Sequence, residues 1–65
     1  MASENRYYEV IGLTEADALK ILERNNKQVV IRQRDGQLFP VNYDWDPRRV
    51  TLRVMGNCVI EAEIG

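Results

Sequence analysis

The sequence predicts a small α+β domain with one helix, several β-strands and one long loop. Within residues 15–24, apolar side chains recur at the spacing of one helix face. From Arg49 to Ile64, apolar and polar residues alternate, as they do in half-buried strands. Between this region and a third strand-like run at 29–34 lie about a dozen residues without either period, Gln37 to Arg48, and a loop of this length is usually functional when it is ordered.

The length and the cysteine content limit how this domain can be stabilised. The 65 residues suffice for one domain with a small core, and we assign residues 1–6 to a flexible tail and 7–65 to the domain. Cys58 is the only cysteine and histidine is absent, so neither an intramolecular disulfide nor a common zinc site is expected. Packed apolar side chains, in a sequence that is 45% hydrophobic, must therefore stabilise the fold.

The charge pattern and the residue types argue against several classes of function. Nine basic and ten acidic residues lack the basic excess of nucleic-acid and anionic-membrane binders. No apolar run approaches the roughly 20 residues that span a bilayer. The chain carries no signal-peptide pattern, so a cytoplasmic location is expected if it is complete. No group of residues resembles a catalytic or metal-binding set, so we expect neither enzymatic activity nor a cofactor.

Local signals define the helix and its surroundings. Thr14 is the predicted N-cap, with Asp17 three residues later in a variant of the capping box. Asn25-Asn26 is expected to end the helix because asparagine tolerates the left-handed conformation. Before the helix, Tyr7–Ile11 is rich in strand-forming residues and is expected to be extended until Gly12. The face predicted to point inward comprises Ala18, Ile21 and Leu22, with Leu19 beside them.

The last part of the chain predicts a hairpin. Gly56-Asn57 is a tight-turn pair, and glycine in the first position favours type II′. Alternation after this turn places Cys58 and Ile60 on the inner face and Glu61 on the outer one. Residue order does not decide how the 29–34 strand pairs with the first hairpin strand. They are either parallel neighbours or partners across a wide loop.

Four stretches of the chain are similar to one protein family. They are Tyr8 to Ala18, Val29-Val30-Ile31, the segment from Val41 to Val50, and Gly65. In this order and spacing, residues 7–65 resemble the potato inhibitor I family of serine protease inhibitors and its small bacterial and fungal relatives. The resemblance implies one helix packed on a small mixed β-sheet with a long exposed binding loop.

The resemblance also implies a function and a partner. In the family, the loop occupies a protease active site as a substrate does. Here Tyr43 would fill the primary specificity pocket and Tyr43–Asp44 would be the scissile bond. A tyrosine at this position suggests chymotrypsin-like or subtilisin-like targets, bound by a monomer. The implied binding residues are Val41, Asn42, Tyr43, Asp44 and Trp45, and the implied loop supports are Arg48, Arg49 and Arg53.

The sequence departs from the family pattern at four positions. The family's threonine before the pocket residue is here Asn42. The family's arginine and aspartate at the next two charged positions are here Asp46 and Arg48, so the two charges are exchanged. Thr51 stands where the family has a second supporting arginine. Arg53 lies about 7 Å beyond Thr51 on the same strand face. Two other functions are therefore kept as alternatives: an interaction module for a non-protease protein, and RNA binding through the arginines. A further alternative is that Tyr43 or Trp45 folds back onto the core.

Overall fold

The structure, a computed structural model, describes residues 5–41 and 44–65. It contains one α-helix and a four-stranded mixed sheet, which confirms the predicted α+β class. None of the described helices is long and apolar enough to cross a membrane. The elements are a 3₁₀ helix at Tyr8–Val10, helix α1 at Glu15–Arg24, and strands β1 at Gln28–Arg34, β2 at Gln37–Leu38, β3 at Arg49–Met55 and β4 at Cys58–Ile64.

Helix α1 begins and ends where the local signals predict. The Thr14 hydroxyl accepts the Asp17 backbone N–H at 3.2 Å, which satisfies one of the free donors of the first turn. At the other end, Asn26 has a φ of 59° and turns the chain out of the helix. Ala18 and Leu22 are fully buried, so the predicted apolar face packs inward.

The four strands lie in the order β2-β1-β3-β4. Strands β1 and β3 are parallel neighbours, with Val29 opposite Val50, and this resolves the pairing that residue order left open. The β1–β2 and β3–β4 pairs are antiparallel. A parallel pair needs a connection that returns the chain to the starting end of the sheet, and residues 39–48 provide the last part of it.

The core lies between α1 and one face of the sheet. Alternation along β3 buries Val50, Leu52 and Val54 against the helix. The opposite face carries Arg49, Thr51 and Arg53 of β3 and Glu61 and Glu63 of β4, and it is called the open face below. The fully or almost fully buried residues are Val10, Ala18, Leu22, Val50, Leu52, Val54, Val59 and Ala62.

A β-bulge in β4 overturns the predicted alternation of the second hairpin strand. Arg53 pairs with Glu61 and Val54 pairs with Val59, so Ile60 has no partner on β3. One extra residue reverses which side chains face the core. Val59 is therefore buried and Ile60 is 45% exposed. The expectation that Ile60 and Cys58 face inward is wrong, and the thiol is only partly buried.

The segment before α1 is not the extended run that its composition suggested. Tyr8–Val10 forms a turn of 3₁₀ helix, and the Ile11 N–H donates to the Tyr8 carbonyl at 3.1 Å. On either side of this turn, backbone N–H groups of Tyr7 and Gly12 donate to Ala62 and Val59 of β4 at 2.9 and 2.8 Å. The segment thereby covers the outer edge of β4 and buries Val10, which a regular strand would not achieve.

Both tight turns of the sheet have positive φ at their two central residues. Gly56 and Asn57 have φ of 57° and 65°, which is the type I′ pattern, so the predicted type II′ turn is wrong. The turn of Asp35 and Gly36, with φ of 50° and 84°, joins β1 to β2. The long loop predicted to begin at Gln37 thus starts with a two-residue edge strand.

Replacing Thr14 by alanine should lower the free energy of unfolding by about 1 kcal/mol, because the Asp17 N–H loses its acceptor. Thr14→Ser keeps the hydroxyl and is the matched control. Urea unfolding followed by far-UV circular dichroism measures both. Equal stabilities of the alanine and serine variants would contradict the capping role.

Candidate functional site

Residues 39–48, called the connecting loop, link β2 to β3. Its described residues Phe39, Val41 and Trp45 lie beside the open face. At the start of the loop, the Phe39 N–H donates to the Arg32 carbonyl at 2.9 Å. At its end, the Arg49 N–H donates to the Asp46 carbonyl at 3.1 Å. Backbone hydrogen bonds therefore fix both ends of the loop beside the sheet.

Arg49 connects the loop to the end of the sheet. Its Nη2 donates to the Asp44 backbone oxygen, and its Nε donates to the Gly65 backbone oxygen at 3.2 Å. The planar fork of arginine can serve two acceptors at once in a fixed geometry. The structure thus places Arg49, named from the sequence as a loop support, in contact with the described end of the candidate binding segment.

Gly65 is the second partner in this arrangement. Its N–H donates to the Arg49 carbonyl at 2.8 Å, and its own backbone oxygen also accepts from the Thr51 hydroxyl at 3.2 Å. Thr51 stands where the resemblance led us to expect a second arginine. It binds the end of the sheet, so this position still contributes to holding Gly65 in place.

The Trp45 ring lies directly on Gly65. A Cβ atom at residue 65 would come within 2.9 Å of Trp45 Cδ1, closer than side-chain carbons approach in proteins, and Gly65 has a φ of 121°. Only glycine therefore fits beneath this ring without displacement. The rest of the Trp45 side chain faces solvent, since the residue is 66% exposed, and this excludes the alternative in which it folds back onto the core.

The other predicted loop residues differ in their surroundings. Val41 is partly buried and Asp44 is exposed. Asn42 and Tyr43, the centre of the predicted binding segment, lie outside the described residues. The Asp46 carboxylate accepts the backbone N–H of Arg48 at 2.9 Å. Asp46 is one of the two positions where the charge is exchanged relative to the family, and its carboxylate here fixes the backbone at the end of the loop.

The structure gives Arg53 different partners from those expected of a loop support. Its Nε donates to Gln33 Oε1 at 2.8 Å, and its Nη1 donates to Glu61 Oε2 at 3.2 Å. The side chains of Gln33, Arg53 and Glu61 thus form a hydrogen-bonded row across β1, β3 and β4 on the open face. Within the described part of the chain, no hydrogen bond or ion pair joins Arg53 to the connecting loop.

Two loop contacts had no signal in the sequence. Lys27 Nζ donates to the Pro47 carbonyl at 3.3 Å. Arg34 binds the Glu15 carboxylate with two hydrogen bonds of 2.7 and 3.2 Å, and its guanidinium lies 5.9 Å from the centre of the Phe39 ring. The sequence suggests only an ordinary surface charge at Arg34, because its partners are distant in the chain. In the fold it links the start of the loop to the first turn of α1.

The described end of the connecting loop forms a solvent-facing contact surface. Among residues 5–41 and 44–65, no three histidine, cysteine, aspartate or glutamate side chains are close enough to hold a metal ion. What the geometry provides is a loop held at several points, with Asp44 and Trp45 facing solvent. No protein-family model matches the chain, and none of the curated proteins is significantly similar to it.

Replacing Gly65 by alanine should displace the Trp45 ring and change the tryptophan emission maximum, since the new Cβ would overlap the indole. Gly36→Ala is the matched control, because Gly36 also has positive φ but an added methyl group there would meet no atom within 4 Å. Both variants should lose roughly 1–2 kcal/mol of stability from the unfavourable φ. An unchanged emission spectrum in the Gly65 variant would contradict the packing of Trp45 on this residue.

Proposed function

We propose that the protein is a substrate-like inhibitor of chymotrypsin-type or subtilisin-type serine proteases, as are members of the potato inhibitor I family. In this proposal the protein is not an enzyme, and the Tyr43–Asp44 bond enters the active site of the protease. The observation that carries the proposal is the pair of hydrogen bonds from Arg49 to the backbone oxygens of Asp44 and Gly65. They hold the chain to the sheet immediately after the bond that the protease would attack.

This attachment supports slow and reversible cleavage. If the protease cut the Tyr43–Asp44 bond, the new amine would belong to Asp44. Arg49 would still hold Asp44 through its carbonyl, so the amine would stay near the acyl group and religation would compete with release. An ordinary exposed loop would let the new end diffuse away.

The other loop contacts support the same function by reducing the entropic cost of binding. Ordering a flexible side chain at an interface costs about 0.5–1.5 kcal/mol, and ordering a loop adds to this. Bonds to Phe39, Asp46 and Pro47 fix the loop before any partner arrives. Trp45 then presents a large aromatic surface beside Asp44, and tryptophan is among the residues that most often dominate binding energy in interfaces.

Titration against chymotrypsin and subtilisin tests the proposal directly. We expect inhibition at or below micromolar concentrations of the protein. Tyr43→Lys should transfer inhibition from chymotrypsin to trypsin, whose primary pocket carries an aspartate. Absence of inhibition of both proteases by micromolar wild-type protein would refute the proposal, whatever the variant does.

The contribution of the planar guanidinium fork of Arg49 can be separated from that of its positive charge. Arg49→Lys keeps the charge but removes the fork, so we expect the inhibition constant to rise about tenfold and the Tyr43–Asp44 bond to be cut faster. Arg24→Lys makes the same change on the exposed surface of α1, away from the loop, and should leave both quantities unchanged. Mass spectrometry of the protein during incubation with chymotrypsin measures the cleavage. If the two variants behave alike, Arg49 does not support an inhibitory loop.

One observation favours a second candidate, an interaction module that binds a non-protease protein through the same loop. Thr51 replaces the second arginine, and Arg53 is bound to Gln33 and Glu61 instead of the loop. Among the arginines expected to support the loop, Arg49 is thus the one whose guanidinium donates to it within the described residues. Recovery of a non-protease partner that is lost on Tyr43→Ala, together with no effect on either protease, would favour this candidate.

A further inference from the structure

A cleft of about 380 Å³ lies between the connecting loop and the open face. Small-molecule sites usually have volumes of roughly 300 to 1,000 Å³ and mostly apolar walls with a few polar groups. The cleft falls within this range of volumes, and Val41 and Trp45 of its lining also belong to the proposed binding segment. Its apolar walls are formed by Leu38, Phe39, Val41, Trp45 and Ile64.

Three charged side chains also line the cleft, two of them positive. Arg49 already donates hydrogen bonds to the backbone oxygens of Asp44 and Gly65. Arg32 is on the open face, and its guanidinium has no hydrogen bond or ion pair with any described residue. Glu63 is the one carboxylate among the lining residues of this cleft that the structure describes. Arg32 therefore offers an unused positive charge beside an apolar wall.

We propose that the cleft binds a small aryl carboxylate, with its carboxylate on Arg32 and its ring against Trp45. The guanidinium fork and a carboxylate match each other in a bidentate geometry. An aromatic ring should bind here with a more favourable free energy than an aliphatic ring, because it can stack on the indole in an offset arrangement. Two positive side chains against Glu63 make the cleft favour an anion. This proposal does not depend on protease inhibition.

Trp45 makes binding directly observable, because it is the only tryptophan in the protein. Phenylpropionate is the probe, and cyclohexylpropionate and phenylpropionamide are its aliphatic and uncharged counterparts. We expect a saturable change of the emission with phenylpropionate and at least about tenfold weaker binding of the amide, which lacks the charge-assisted hydrogen bonds. A change that does not saturate, or an affinity for either counterpart equal to that for phenylpropionate, would overturn the proposal.

Two variants with opposite expected effects test the electrostatic part. Arg32→Gln should weaken phenylpropionate binding about tenfold, whereas Glu63→Gln should strengthen it about twofold because a repulsive charge is removed. Arg24→Gln removes a charge from the exposed surface of α1 and should change nothing. An unchanged emission spectrum and unfolding midpoint without ligand show that each variant is folded.

Backbone amide NMR locates the ligand independently of Trp45. Phenylpropionate should shift the signals of Arg32, Val41 and Ile64, which line the cleft, and leave those of α1 in place. Shifts centred on α1, or an Arg32→Gln variant that binds as tightly as the wild-type protein, would overturn the assignment.

Discussion

The parallel pairing of β1 and β3 is the constraint from which the rest of the structure follows. After β2, the chain must return along the sheet from the level of Gln33 to that of Gln28, about 16 Å away. Residues 39–48 could span up to about 33 Å. The connection is therefore longer than the path requires. The same topology places Arg49, the first residue of β3, at the end of the connecting loop, where its side chain reaches back to Asp44.

The end of β4 supplies the other half of the support. In a domain whose only cysteine is Cys58, no disulfide can brace a loop within the chain, so hydrogen bonds and side-chain packing must do so. Gly65 takes part in both. Its backbone oxygen accepts hydrogen bonds from Arg49 and Thr51. Because it has no side chain, the Trp45 ring can pack against it. Strand β4 is itself fixed by the antiparallel ladder with β3 and by the segment before α1, so β3 and β4 together connect the loop to the core.

The features that the sequence predicted well are local ones. Thr14, Asp17 and the asparagine pair specify the ends of α1 within a few residues, and alternation along β3 identifies its buried face. The bulge at Ile60 was missed because Cys58, Val59 and Ile60 are all apolar, so the sequence there does not decide which of them faces the core. In the candidate site, too, the sequence identified one residue but not the contacts between residues distant in the chain. Arg49 was named from its position in a family pattern, whereas the partners of Arg34 and Arg53 and the contact of Trp45 with Gly65 depend on which strands become neighbours. No signal near those residues carries that information.

The proposed binding loop and the proposed ligand cleft share the side chains of Val41, Trp45 and Arg49, which couples their affinities. Trp45 forms part of the cleft wall while its exposed surface lies beside Asp44, and Arg49 lines the cleft while holding Asp44 in place. A ligand that presses on Trp45 or competes for Arg49 must change the free energy of the loop conformation that a partner protein would bind. Linkage then requires the reverse: a protein bound to the loop changes the affinity of the cleft by the same factor. Because both sites use the same supports, a change at Trp45 or Arg49 is expected to alter both affinities.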